Sequence, residues 1–180
     1  MVQNENNEHK LPKREIILDT ETTGLDEDDE IVQIAIIDAF SGQTLLNEYL
    51  KPTKPISIGA SRIHGITNER VKNAKAYPEI HDEIVQILTD KHIFIYNANF
   101  DMRILNQTAK KYGLELSDNF TESAFCIMHW YAEIWGDYTG YFNDYRWQTL
   151  TNACKQQSVD VSDLTAHDAL SDCLMTQRLM

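Results

Sequence analysis

The chain has 180 residues, 42% of them hydrophobic and 24% charged, and its 28 acidic against 16 basic side chains give a net charge of −12. That length suits one globular domain with a sizeable core, and no apolar run is long enough to span a membrane. The charge excludes a protein that coats nucleic acid by bulk attraction, but not an enzyme that grips a strand end locally.

Residues 1–12 are polar and read as a loose tail, not a signal peptide; residues 13–180 read as one domain. Cys126, Cys154 and Cys173 are odd in number and unpaired in spacing. That argues against a disulfide framework or a zinc site and suits buried free thiols in a reducing cytoplasm.

The stretch Lys13-Arg-Glu-Ile-Ile-Leu-Asp-Thr-Glu-Thr-Thr-Gly24 opens the fold. Ile16, Ile17 and Leu18 read as a buried strand. Asp19 and Glu21, two residues apart, then share one face at its end. Two like charges about 4 Å apart repel by roughly 4 kcal/mol at an effective dielectric near 20. A hard cation such as Mg²⁺ or Mn²⁺ between them relieves this; the alternative is a solvated strand end running into an acidic loop. Asp26 to Glu30 lacks the ligand spacing and central glycine of a calcium loop and reads as a solvated turn.

Ile31 to Asp38 and Thr44 to Leu50 read as two further strands, joined by turns short enough to make an antiparallel meander. Pro52 and Pro55 interrupt the pattern. A short helix is expected over Ser57 to Ile63, and Thr67 or Asn68 caps a further turn through Val71. Pro78 starts an amphipathic helix that carries Ile80, Ile84, Ile87 and Leu88 to about Thr89. His92 to Tyr96 is a fourth strand. The helix Asn99 to Tyr112 follows, with Asn99 as N-cap and Gly113 as its stop. Asp101 in its first turn suits the helix dipole. It also lies just past a strand's C-terminal end, where α/β sheets place their sites.

Ala124 to Met128 is expected as a fifth strand leading into a helix to Trp135. The loop Gly136 to Tyr145 follows, then helices over Trp147 to Gln157 and Thr165 to Met180. Thr165 and Asp168 have the spacing of a capping box. Asp172 falls on the second turn of the last helix. His167 near its start can swing toward the same acids and take a proton from water near neutral pH. Hairpin strands followed by alternating strands and helices give an α/β fold, a mixed sheet with helices packed on it. The aromatics from Trp130 to Trp147 are expected mostly in the core. Tyr138 and Tyr141, beside glycines, are the candidates for stacking on bases.

Asp19-Thr-Glu-Thr-Thr-Gly24, Tyr96-Asn-Ala-Asn-Phe-Asp101 and His167-x-Ala-x-x-Asp172 resemble, in order and spacing, the three motifs of the DEDD exonuclease superfamily. This is the family of the DNA polymerase III epsilon proofreading subunit and ribonuclease T. Ile63-His-Gly-Ile-Thr67 resembles a segment of the epsilon-like branch, and the histidine five before Asp172 resembles the DEDDh subgroup. Tyr96 departs from the histidine usual in epsilon and ribonuclease T. The resemblance implies a ribonuclease H-like fold with a mixed five-stranded sheet. It implies two divalent metal ions, Mg²⁺ or Mn²⁺, held by Asp19, Glu21, Asp101 and Asp172, with His167 as general base.

It further implies a pocket for the terminal nucleotide lined by Thr22, Thr23, Leu25, His64 and Phe100, with Leu25 and Phe100 against the base. The implied reaction is 3′→5′ removal of 5′-mononucleotides from single-stranded or frayed ends, DNA in preference to RNA. A DNA polymerase or a second copy of the chain is the implied protein partner. Trimming of RNA and a non-catalytic polymerase-accessory role are the alternatives. The basic residues Arg62, Arg70, Lys72 and Lys75, and Arg103, Lys110 and Lys111, read as solvated helix faces or as attractors of phosphates.

Overall fold

The computed structural model describes residues 14–140 and 144–180. The expected N-terminal tail and Tyr141 lie outside the described residues. The isoleucine-rich start of the chain forms three strands, β1 (Arg14–Thr22), β2 (Ile31–Asp38) and β3 (Thr44–Tyr49). Their short turns make them antiparallel neighbours. β4 (Lys91–Ile95) and β5 (Ala124–Cys126) then run parallel to β1, giving a five-stranded mixed sheet in the order β3-β2-β1-β4-β5. The expected α/β architecture is present.

The connections carry α1 (Ile58–His64), α2 (Asn68–Val71), a 3₁₀ turn (Tyr77–Glu79), α3 (His81–Leu88) and α4 (Ala98–Lys111). After these come α5 (Asp118–Glu122), α6 (Ile127–Trp135), α7 (Leu150–Gln156) and α8 (Ala169–Leu179). The two-residue period of β1 sorts its side chains between layers. Ile16 and Leu18 join Ile84 and Leu88 of α3 and Ile104 and Leu105 of α4 in the main core. Ile17, on the opposite face, packs with Ala35, Ala169 and Cys173, so α8 lies across β1 and β2. β2 is covered on both sides, which is why its sequence is nearly continuous isoleucine and valine rather than alternating.

Several boundaries differ from the sequence reading. α4 starts at Ala98, with Asn97 rather than Asn99 at the cap position. α7 starts at Leu150, where the Thr149 side chain accepts from Asn152 N–H, so Trp147 precedes the helix. α8 starts at Ala169, not Thr165, because His167 has φ +63° and cannot be helical. Asp168 is its cap, and Asp172 therefore sits in the first turn rather than the second.

The acidic turn is not simply solvated: Asp29 and Glu30 are buried. Glu30 takes Lys111 at 2.7 Å and Thr53 N–H at 3.0 Å. Among the described residues the aromatic stretch is not mostly core either. Tyr131 is buried, but Trp135, Tyr138 and Trp147 are exposed, since α6 ends at Gly136 in the left-handed region and the chain turns outward. Cys154 and Cys173 are buried free thiols and Cys126 is half-buried. Among the described residues no helix is long and apolar enough to cross a membrane.

Candidate active site

β1 delivers Asp19 and Glu21 to the face that α8 covers, continuing from Ile17 by the same two-residue period. The pairing of β1 with β2 is irregular between Glu21 and Thr22. Such bulges re-aim side chains next to functional sites. Asp101 comes from the first turn of α4 and accepts a hydrogen bond from the Thr20 hydroxyl at 2.7 Å. Thr20, between the two acids of β1, thereby ties the second carboxylate-bearing element to the first.

Asp172 comes from the first turn of α8, and both of its carboxylate oxygens accept from the His167 backbone N–H at 3.2 Å. The left-handed backbone of His167 costs of order 1–3 kcal/mol for a non-glycine residue. It is held by that bond and by the Asp168 cap. One ligand atom each from Glu21, His167 and Asp172 lie within 4.8 Å of one another. The α8 terminus is anchored in turn by Gln33, a fully buried residue of β2. Gln33 donates to Asp168 at 3.1 Å and accepts from Ala169 N–H at 3.3 Å.

The electrostatics of this cluster are lopsided. Burial pushes the Glu21 carboxyl up to about 8, with repulsion from Asp172, Asp101 and Asp168 adding to it. Burial likewise holds Asp19 well above the carboxylate range, followed by repulsion from Asp101, Asp172 and Glu21. Asp101 and Asp172 are also raised by burial, against the pull of the Thr20 hydroxyl and of the His167 backbone respectively. Among the described residues no lysine or arginine forms an ion pair with any of the four. Four oxygen donors and one imidazole, gathered without a protein cation, fit hard divalent ions.

The four acids and His167 all line one cleft of about 440 Å³, together with Leu25, Tyr96, Phe100, Met128 and Trp147. A second cleft of about 450 Å³ adjoins it, sharing Leu25 and Phe100, and its wall includes Thr22, Thr23, Ile63 and His64. The five residues expected around a terminal nucleotide are thus together. Leu25 is 76% exposed and not a core residue. His64 accepts from Ile66 N–H at Nδ1, so its Nε2–H donates to the Thr22 carbonyl at 3.0 Å. Burial, with the nearby His167, lowers its pKa against that bond.

Thr23 has its polar atoms engaged: its hydroxyl donates to Asp29 at 2.6 Å, its N–H to Glu30, and its carbonyl accepts from Ser57. Asp29 also accepts from Asp26 N–H and pairs with Lys54. Gly24 is required beside it, because a Cβ there would meet Asp29 Oδ2 at 2.5 Å.

Sequence reasoning missed Trp147, which is 59% exposed and packs on His129 with ring centroids 5.2 Å apart. Its place just before a cap-like Gln-Thr pair was the available signal. Tyr138 instead pairs with Tyr145 and lines neither cleft. The basic stretches are largely solvated faces, since Lys72 pairs with Glu69, Lys75 with Glu48 and Lys111 with Glu30.

Residues 16–180 match the family model described as Exonuclease (RNase_T). The chain is 45% identical over 165 residues to a protein of Escherichia phage 186 named uncharacterized exonuclease CP81, covering 89% of this chain and 83% of that one. It is 28% identical over 171 residues to the DNA polymerase III subunit epsilon of Pasteurella multocida, covering 89% of this chain and 64% of the subunit. Exonuclease X in complex with 5′-overhanging duplex DNA superposes with a TM-score of 0.66 at 25% identity, over 91% of this chain and 87% of that one. E. coli exonuclease I in complex with a dT13 oligonucleotide gives a TM-score of 0.72 at 21% identity, over 90% of this chain and 39% of the other, a likeness of fold.

Proposed function

The chain belongs to the exonuclease family that its residues 16–180 match, and we propose that it is a DEDDh-type 3′→5′ exonuclease that releases 5′-mononucleotides from single-stranded or frayed DNA ends. The observation that carries this reading is the meeting of Asp19, Glu21, Asp101 and Asp172 with His167 in one cleft. Asp19, Glu21 and Asp172 would hold a first divalent ion, Mg²⁺ or Mn²⁺. Asp19 would share a second, and Asp101 would support the pair. Bound there, the ions neutralise charge on the phosphate and make water a better nucleophile.

His167 takes the proton from the attacking water as its oxygen bonds to phosphorus and the bond to the 3′ oxygen of the preceding nucleotide breaks. Its exposed position at the cleft's edge suits exchange of that proton with solvent. Leu25 and Phe100 grip the terminal base from the adjoining cleft. Trp147 offers a ring face to the strand beside the acids; stacking of this kind is worth about 1–3 kcal/mol per base. The DNA complex of exonuclease X and the similarity to epsilon subunits support DNA over RNA. The epsilon likeness also adds a DNA polymerase as a candidate partner.

Digestion of matched 5′-labelled single-stranded DNA and RNA, with Mg²⁺, Mn²⁺ or EDTA, tests this. The expected result is a ladder shortening from the 3′ end, metal-dependent and faster on DNA. A faster RNA ladder would transfer the reading to RNA trimming. Strands that are bound but uncut under every condition would replace it with an accessory role.

A further inference from the structure

Next to the cleft that holds the acids, on the far side of His64 and His167, lies a groove of about 380 Å³. Its lining includes Tyr49, His64, Arg70, Thr165, His167 and Ser171. Arg70 is exposed yet fixed at both ends. Its backbone N–H donates to the Thr67 hydroxyl that caps α2. Its guanidinium carbon lies 4.3 Å from the centroid of the Tyr49 ring, with Nη2 donating to the tyrosine hydroxyl at 2.9 Å.

Among the described residues Arg70 has no carboxylate partner, whereas the nearby Lys72 and Lys75 are paired with Glu69 and Glu48. The acid that also lines this groove, Asp168, has its oxygens occupied by Gln33 and by Ser171 N–H. A planar guanidinium held on an aromatic ring loses little freedom when it binds, and its remaining donors match phosphate oxygens. In a chain of net charge −12, an arginine kept stacked beside the acid cleft, and unpaired with any described carboxylate, calls for an anion.

We propose that the Arg70 groove is a phosphate subsite contiguous with the catalytic cleft. It takes either a backbone phosphate of the bound strand, away from the bond being cut, or the phosphate of the released mononucleotide. The proposal rests on the nuclease reading for what passes through the cleft, but it can be tested by binding alone.

The test compares wild type with Arg70→Met, which keeps bulk on Tyr49 and removes the charge. Arg70→Lys keeps charge without the planar fork, and Arg62→Gln removes an exposed arginine that lines neither the groove nor the clefts. Fluorescence anisotropy with labelled oligothymidylates of increasing length, in Ca²⁺ or EDTA, reads the groove whether or not the strand is cut. Inhibition of cleavage by 5′-thymidylate reads the product.

A backbone phosphate predicts roughly 3–10-fold weaker binding of longer oligomers by Arg70→Met. It also predicts a salt slope shallower by about 0.7, the loss of one contact to a single strand. Arg70→Lys would restore part of the affinity, and Arg62→Gln would match wild type. A product phosphate predicts unchanged strand binding with a several-fold rise in the thymidylate inhibition constant. Arg70→Met that matches wild type in both readouts, or Arg62→Gln that weakens binding as much, overturns the proposal. A wild type that binds but never cuts refutes the nuclease reading and leaves the anisotropy comparison to decide the subsite.

Discussion

His167 separates two duties between backbone and side chain. Its backbone N–H fixes Asp172, and its ring stands with Glu21 and Asp172. His167→Ala should therefore keep divalent-ion binding while turnover drops by about 10²–10⁴-fold, the usual worth of general-base help; turnover at the wild-type rate at pH 7 would remove the residue from the mechanism. Glu30 gives a pH dependence of stability. Burial alone would raise its carboxyl, but the bonds from Lys111 and Thr53 outweigh it and hold the group below its ordinary value. A depressed folded value means that its contribution is present above the unfolded value, about 4.3, and is lost as pH falls through the folded one. Wild type should thus lose more of its melting temperature between pH 5 and pH 3 than Glu30→Gln, which at neutral pH should be less stable by about 1.5–3 kcal/mol. Equal acid limbs would remove Glu30 from the account. The sequence displayed Asp19, Glu21, Asp101, His167 and Asp172 because acids at a strand end and a helix start are locally patterned. It hid Gln33 and Trp147, whose importance comes from contacts far along the chain.

At the scale of elements, the start of α8 decides the geometry of the site. Asp168→Ala removes the cap and should cost about 0.5–2 kcal/mol. That corresponds to roughly 2–4 °C of melting temperature per kcal/mol in a chain of this size. Activity should fall by more than the unfolded fraction explains, because the His167 turn loses its anchor to Gln33. A loss of activity that merely tracks unfolding would contradict this. The loop after β1 is the second such element. Gly24→Ala presses a methyl group onto an Asp29 carboxylate already fixed by Thr23, Asp26 and Lys54. We expect about 1–3 kcal/mol of destabilisation, as for other overpacked sites, measured by denaturant melting; a neutral change would mean that Asp29 is free to move. The five strands were legible from β-branched runs and short turns. The start of α8 was not, because a left-handed histidine leaves the same Thr-x-x-Asp spacing as a helix cap.

Over the whole molecule, a net charge of −12 means that strand binding must rest on a few local contacts and on divalent ions. Log affinity against log salt should fall with a slope of roughly −1 to −3 for single strands, at about 0.7 per phosphate contact. A slope much steeper than that would indicate a broad basic surface that the described residues do not form. The acid cleft is the centre of this binding, since among the described residues no lysine or arginine pairs with its four carboxylates. The most direct measurement is a titration of Mn²⁺ into the protein, followed by electron paramagnetic resonance and by melting temperature, with Asp19→Ala beside it. Up to two ions per chain are expected, with a rise in melting temperature on adding metal and loss of both in the variant. A chain that binds no Mn²⁺, or one whose binding survives Asp19→Ala unchanged, would contradict this.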